Sequence, residues 1–275
     1  MQQTTAEVIS NEKILEGIER PCAPPLQKPR DTLGSWLMWL MCPRIARQAR
    51  PGQFVMLSCG IETLLRRPMS IHRVKGDTLA LFYSVWEGGK GTKWLSERCR
   101  GDSIEFLGPL GNGFSMGRDT RSLLLIAGGT GIAPLIFLGE NALEQGKGVT
   151  LLCGASSGSQ LYPAHLLPQG ITCVTAAEDG ARCDKKGRVT DLIPGYIRGT
   201  DEAFSCGPIP MYRTLARQGL FRNKPCQVSL EVRMGCGFGV CYGCSIKTRQ
   251  GLKEVCKDGP VFNLDDILWD ELAGI

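Results

Sequence analysis

The chain has 275 residues, 43% of them hydrophobic and 21% charged, with a net charge of +5. That length leaves room for two domains and a small third one. The mild positive excess comes without a basic run interleaved with aromatics, so it reads as scattered solvated Lys and Arg and excludes an obvious nucleic-acid surface.

WLMWLM at 36–41 is the longest strongly apolar stretch and is far too short to span a bilayer. MQQTTAEVIS has neither the basic nor the apolar region of a secretory signal. Thirteen cysteines in such a chain point to a reducing compartment, so a cytoplasmic protein is expected.

Residues 1–117 are expected to form a β-barrel domain. Short apolar runs such as GQFVML (52–57) and DTLALFYSV (77–85) are separated by Gly, Pro and charged turns. The Pro-rich, charged stretch 17–35 reads as a surface loop between the first two strands. Residues 118–224 change character. SLLLIAG (122–128), VTLLCG (149–154), ITCVTAAE (171–178) and EAFSCG (202–207) are buried-strand candidates. They alternate with helical stretches such as IAPLIFLGENALEQ and PMYRTLARQG, which implies a doubly wound parallel α/β sheet. Residues 225–275 form a cysteine-rich third segment, with a short helix expected over NLDDILWDELAG.

Two glycine turns follow strands of the α/β segment. In the first, Gly128, Gly129, Thr130 and Gly131 lead into Ile132, Ala133 and Pro134. A strand, a glycine turn and a helix start together make an anion site, but Pro134 stands where the third glycine of G-x-G-x-x-G would be. The second turn is Cys206, Gly207 and Pro208, and Cys206 there would approach a nicotinamide ring or be a core thiol. Ser156 and Ser157, after the second strand, can bond a ribose or simply shape a turn. The acid that usually binds a ribose 2′-hydroxyl is missing there, and so is an Arg pair for a 2′-phosphate, which favours NAD over NADP.

In the barrel segment, Arg67-Pro68-Met69-Ser70 and the later GGKGT with Gly91 and Thr92 offer a guanidinium and backbone N–H donors for a pyrophosphate. His72 is expected to border a flavin rather than act as an acid or base, and His165 to be structural.

The four cysteines Cys236, Cys241, Cys244 and Cys256 read C-x4-C-x2-C-x11-C, the plant-type ferredoxin spacing for a [2Fe–2S] cluster. Zinc ribbons usually use two C-x2-C knuckles, a symmetry not present here. The interleaved glycines suit a loop wrapped closely around an inorganic core.

In this order, R-P-M-S, GKGT, GGTGIAP and CGP resemble the ferredoxin–NADP reductase superfamily. MGCGFGVCYGCSIKTRQGLKEVCKDGPVF, with ARPGQFVML (49–57) and FLGPLGNGF (106–114), is similar to the electron-transfer subunits of type B dihydroorotate dehydrogenases.

The resemblance implies a three-part fold: an antiparallel β-barrel for FAD, a doubly wound α/β domain for nicotinamide, and a small [2Fe–2S] domain. It also implies FAD, one [2Fe–2S] cluster and NAD as cofactors, and an FMN-containing dihydroorotate dehydrogenase catalytic subunit as partner in a heterotetramer. Arg67, Pro68, Met69 and Ser70 would be the first FAD segment. Ser84, Val85 and Trp86 would be the second, with Gly91 and Thr92 on the pyrophosphate. Gly128, Gly129, Thr130, Gly131, Pro134, Cys206, Gly207 and Pro208 would hold the nicotinamide nucleotide, and Cys236, Cys241, Cys244 and Cys256 the iron. Met69 stands where superfamily relatives often stack a tyrosine on the flavin.

Two readings compete with this one. The first is an NAD(P)H-linked subunit of a hydrogenase, sulfide dehydrogenase or bifurcating transhydrogenase; the second is a zinc-stapled binding module without redox chemistry.

Overall fold

Period-2 patterning along the first third of the chain closes a barrel. The computed structural model describes residues 2–18 and 31–272. Six strands, β1 (Gln2–Ile18), β2 (Thr32–Met41), β3 (Phe54–Leu57), β4 (Arg67–Lys75), β5 (Thr78–Trp86) and β6 (Ser103–Leu110), pair antiparallel in the order β1-β2-β5-β4-β3-β6 and then back to β1. On β5, Leu79, Leu81, Tyr83 and Val85 enter the barrel core with Met38, Leu40, Val55 and Ile71. Ala80 and Phe82 point the other way, into a core shared with the next domain.

The connection expected over 17–35 is shorter than that, since β1 reaches Ile18 and β2 begins at Thr32. The rest of that Pro-rich stretch, 19–30, lies outside the described residues. Short helices α1 (Pro43–Ala46) and α2 (Lys90–Ser96) occupy two barrel connections.

From Ser122 onward the apolar runs become continuous, as strands buried on both faces require. β7 (Ser122–Gly128), β8 (Gly148–Ala155), β9 (Ile171–Ala177), β10 (Lys185–Lys186), β11 (Glu202–Cys206) and β12 (Cys226–Ser229) run parallel in the order β10-β9-β8-β7-β11-β12. Helix α3 (Ile132–Glu144) packs one face, against Leu123, Leu125 and Ala127. The one-turn α4 (Ile193–Tyr196) and α5 (Ile209–Gln218) pack the other, against Leu124 and Ile126. Strand order reverses between β7 and β11, which is where a doubly wound sheet opens a ligand crevice.

The cysteine segment is tied into this sheet. After the hairpin β13 (Ser245–Thr248) and β14 (Gly251–Glu254) and the turn of α6 (Val255–Asp258), β15 (Val261–Asn263) pairs antiparallel with β12. The sheet therefore continues past the boundary expected at 224/225.

The helix expected over NLDDILWDELAG is instead two 3₁₀ turns, Leu264–Asp266 and Trp269–Glu271. The buried residues Leu264, Ile267, Trp269 and Leu272 do not keep one helical face. Arg213 captures the backbone carbonyls of Trp269 at 3.0 Å and Leu272 at 2.8 Å, and Trp269 stacks on Tyr212.

Barrel and sheet meet at β4 and α3. His72 is fully buried, with Nδ1 2.9 Å from the Ala133 carbonyl and Nε2 2.9 Å from the Tyr162 hydroxyl. It lines neither of the two cavities described below, although the sequence led us to expect it beside a flavin; both ring nitrogens are spent on joining the domains. Arg73 beside it pairs with Glu140 of α3 at 3.1 Å. His165 is exposed on a 3₁₀ turn.

Burial pushes the His72 pKa down to about 3 from its ordinary 6.5. The unfolded chain thus takes up a proton below about pH 6.5 that the folded chain refuses, and stability falls as pH drops through that window. Replacing His72 with Phe should cost about 2 kcal/mol at neutral pH, through the two partners left unbonded, and should flatten the acid dependence between pH 6.5 and 4. Denaturant titrations at several pH values check this; an unchanged acid limb would contradict it.

Candidate functional site

Two glycine turns touch at the crevice. Gly129 takes a φ of 56°, a conformation glycine adopts freely, and Gly129–Gly131 winds directly into α3. A Cβ on Gly131 would come within 2.1 Å of the Cys206 carbonyl oxygen, and one on Gly128 within 2.8 Å of Pro208 Cδ. No larger residue fits between the turns.

Above them lies a cleft of about 520 Å³ whose walls include Gly128, Gly129, Thr130, Gly207 and Pro208. Three residues expected there do not form its wall. Gly131 is pressed against Cys206, Pro134 is buried in the first turn of α3, and Cys206 is fully buried.

At the far end of the cleft stand Ser156, Glu178 and Arg188, with Arg188 Nε 3.9 Å from the Glu178 carboxylate. Ser157 turns away and bonds Ser159 at 3.0 Å. An acid thus lines the cleft one strand later than expected, just after β9.

A smaller cavity of about 220 Å³ adjoins the cleft, and the two share Phe82, Ser84, Trp86, Thr130 and Glu231. Pro68, Met69 and Ser70 of β4 line the smaller one. Ser84 and Trp86 project from the outer face of β5, whereas Val85 between them is 1% exposed and points into the barrel.

Arg67 lies beyond both cavities and packs on α2, where a Cβ on Gly91 would sit 2.8 Å from its Nε. No side chain caps α2 at Gly89, and its first turn, which holds Gly91 and Thr92, presents N–H groups beside a guanidinium. That pairing suits a pyrophosphate, and the apolar and hydroxyl walls of the smaller cavity suit a flavin ring.

The third wall of the smaller cavity comes from the cysteine segment: Ser229, Leu230, Glu231, Val232, Met234 and Pro260. Glu231 was not expected from the sequence. Desolvation in the cleft raises its carboxyl pKa, and Oε1 accepts the Cys206 thiol at 3.7 Å. Cys206 thus touches the cavity walls from behind, through Glu231 and Ser229.

Asn112, from FLGPLGNGF, explains why KDGPVF belongs with this wall. Its side chain donates to Val261 O at 2.8 Å and accepts from Val261 N at 3.2 Å.

Met234 is two residues before Cys236, and Pro260 four residues after Cys256. The four cysteines therefore gather immediately behind the smaller cavity. They come as two pairs, Cys236 with Cys241 and Cys244 with Cys256, the second pair linked by Cys256 N–H to Cys244 Sγ at 3.4 Å. Gly239 N–H donates to Cys256 Sγ at 3.1 Å, and Val240 N–H to Cys236 Sγ at 3.4 Å. Burial would raise the Cys236 thiol, but backbone N–H groups of Phe238, Val240 and Cys241 hold its pKa down to about 6. Among the described residues no three His, Cys, Asp or Glu side chains crowd a single metal point. Two thiol pairs ringed by N–H donors instead suit two irons joined by sulfide.

A family profile described as the iron-sulfur cluster binding domain of dihydroorotate dehydrogenase B matches residues 231–268. The electron transfer subunit of dihydroorotate dehydrogenase B (NAD(+)) from Desulforamulus reducens is 37% identical over 248 residues, covering 86% of this chain and 93% of that one. Its counterpart from Caldanaerobacter subterraneus subsp. tengcongensis is 35% identical over 227 residues, covering 81% and 89%. Among solved structures, an NADH-dependent reduced ferredoxin-NADP oxidoreductase studied for flavin-based electron bifurcation superposes with a TM-score of 0.82 at 26% identity, covering 97% of this chain and 91% of that one. A ferredoxin NADP+ reductase from Neisseria gonorrhoeae with bound FAD and NADP shares the fold, with a TM-score of 0.61 at 18% identity and coverage of 82% and 93%.

The contact between the two turns gives a direct test. Gly131→Ala should push them apart and cost about 3 kcal/mol or more, because the Cβ meets backbone rather than a side chain that can yield. Thermal unfolding measures the loss, and parental stability would contradict the packing described.

Proposed function

Because the chain belongs to the family of electron-transfer subunits of dihydroorotate dehydrogenase B, we propose that it carries electrons from the FMN of a dihydroorotate-oxidising partner to NAD+, using a [2Fe–2S] cluster and FAD. One observation carries the reading: a single segment, Ser229–Met234 with Pro260, walls the flavin-sized cavity and leads directly into the cysteine loop. Bound FAD supplies the conversion between single electrons and a hydride, which neither a [2Fe–2S] cluster nor a nicotinamide performs alone.

The chain's own residues bind and orient. Arg67 with the first turn of α2, at Gly91 and Thr92, holds the FAD pyrophosphate. Pro68, Met69, Ser70, Ser84 and Trp86 hold the flavin ring, and Val85 contributes through its backbone. Gly128, Gly129 and Thr130, with Gly207 and Pro208, seat the nicotinamide nucleotide, while Gly131, Pro134 and Cys206 support the turns from behind. Glu178, beside Arg188, is placed to accept a ribose hydroxyl, as NAD binding requires. Cys236, Cys241, Cys244 and Cys256 hold the iron.

The division of labour follows 1–117 for FAD, 118–224 for the nucleotide and 225–275 for the cluster, with β12 and β15 lent to the nucleotide-binding sheet. Phe238, Val240 and Tyr242 are 39%, 62% and 69% exposed around the cysteine loop and form the docking face for the partner. No helix among the described residues is long and apolar enough to cross a membrane. The cysteines among the described residues are free thiols, which suits a cytoplasmic setting.

Two variants test the assignment. Cys241→Ser should abolish the visible absorbance of the cluster while FAD is retained, and intact cluster spectra would refute the ligand set. Arg67→Ala should weaken FAD retention about tenfold or more, by loss of a charge-assisted contact, with iron content unchanged. Equal flavin occupancy after gel filtration would count against the clamp.

A further inference from the structure

The nicotinamide turn and the segment leading to the cluster come from different parts of the chain, and one buried side chain joins them. Tyr212 of α5 is fully buried; its hydroxyl accepts the Gly207 N–H at 2.9 Å and donates to the Ser229 carbonyl at 2.6 Å. Gly207 is part of the cleft wall, and Ser229 is the last residue of β12, two residues before Glu231. From there the chain runs on past Met234, in the wall of the smaller cavity, to Cys236.

The tyrosine ring is fixed independently. It stacks on Trp269 with centroids 5.0 Å apart and planes at 26°. Trp269 is itself held by Nε1 donating to Leu264 O at 2.8 Å and by Arg213 on its carbonyl at 3.0 Å. The hydroxyl is therefore a rigid bracket whose two ends bond backbone atoms of the two walls. The β11–β12 ladder ends at the Cys206–Ser229 pair, so beyond it the Tyr212 hydroxyl and the long Cys206 to Glu231 contact at 3.7 Å continue the join to Gly207 and the cavity wall.

We infer that the Tyr212 hydroxyl is a positioning group for hydride transfer, setting the spacing between the nicotinamide turn and the Glu231 wall of the flavin cavity. It touches neither nucleotide nor flavin; it acts through Gly207 and Ser229. Removing the oxygen alone leaves a buried N–H unsatisfied and lets Gly207 shift relative to Glu231. Reacting atoms held for transfer tolerate little misplacement, and a shift of even 1 Å can cost far more than the lost bond.

This inference rests on the proposed NAD and FAD sites, and the test separates the two. In the reaction followed, NADH gives up a hydride and becomes NAD+. The two electrons reduce the flavin, which takes one proton from water.

Tyr212→Phe in the full chain keeps the stacking on Trp269. Its flavin reduction by NADH, followed in a stopped flow by loss of the yellow absorbance, should be about tenfold slower at saturating NADH. Flavin content, iron content and the cluster's electron paramagnetic resonance spectrum should match the parent. Ile45→Ala, in the barrel core on α1 and away from both cavities, should lower the unfolding temperature and leave the reduction rate at the parental value.

Equal rates in Tyr212→Phe and parent would overturn the positioning role while leaving the proposed function standing. So would an equal slowing in Ile45→Ala, which would make the effect one of general stability. A parent whose flavin NADH does not reduce would overturn the proposed function and this inference with it.

Discussion

The stretch from Ser229 to Cys236 is under three demands at once. Its first residue closes a parallel strand of the nucleotide-binding sheet, its middle walls a flavin-sized cavity, and its end is a cysteine of the cluster motif. Two-electron and one-electron carriers exchange only through a group that reaches both, and in the proposed function this stretch borders the places of all three. Much of the surrounding architecture serves to fix it. Leu230 N–H bonds Pro260 O at 2.9 Å, β15 pairs with β12, and Asn112 grips Val261 from the barrel side. Through Asn112 the barrel, the sheet and the cysteine segment share one anchor.

Electrostatics in the site follow from the same enclosure. Behind the cavity walls, fully buried Cys206 and Tyr212 are pushed far from ionising, chiefly by burial. In the cysteine loop the balance reverses for Cys236, because N–H groups converge on its sulfur.

Local pattern revealed a good part of this. Continuous apolar runs marked β7, β8, β9 and β11; glycines marked both turns; and cysteine spacing marked the cluster loop. Other features depended on geometry that a linear reading does not carry. Val85 stood in a motif with Ser84 and Trp86, but strand alternation turns it inward. His72 sat beside a flavin motif, yet two residues beyond Ser70 along β4 it meets α3 and Tyr162. Glu178 was missed because the acid was sought after the second strand rather than the third. Glu231 and Tyr212 matter only through contacts with distant residues. The C-terminal apolar residues suggested a helix, although their spacing of three, two and three follows the packing on Tyr212 rather than one helical face.

The central claim is that this chain joins a flavin to a binuclear iron centre. Its most direct test is cofactor quantification after anaerobic purification with the native partner. The account predicts about one FAD, two irons and two acid-labile sulfides per chain. Zinc without labile sulfide, in a chain free of flavin, would contradict it.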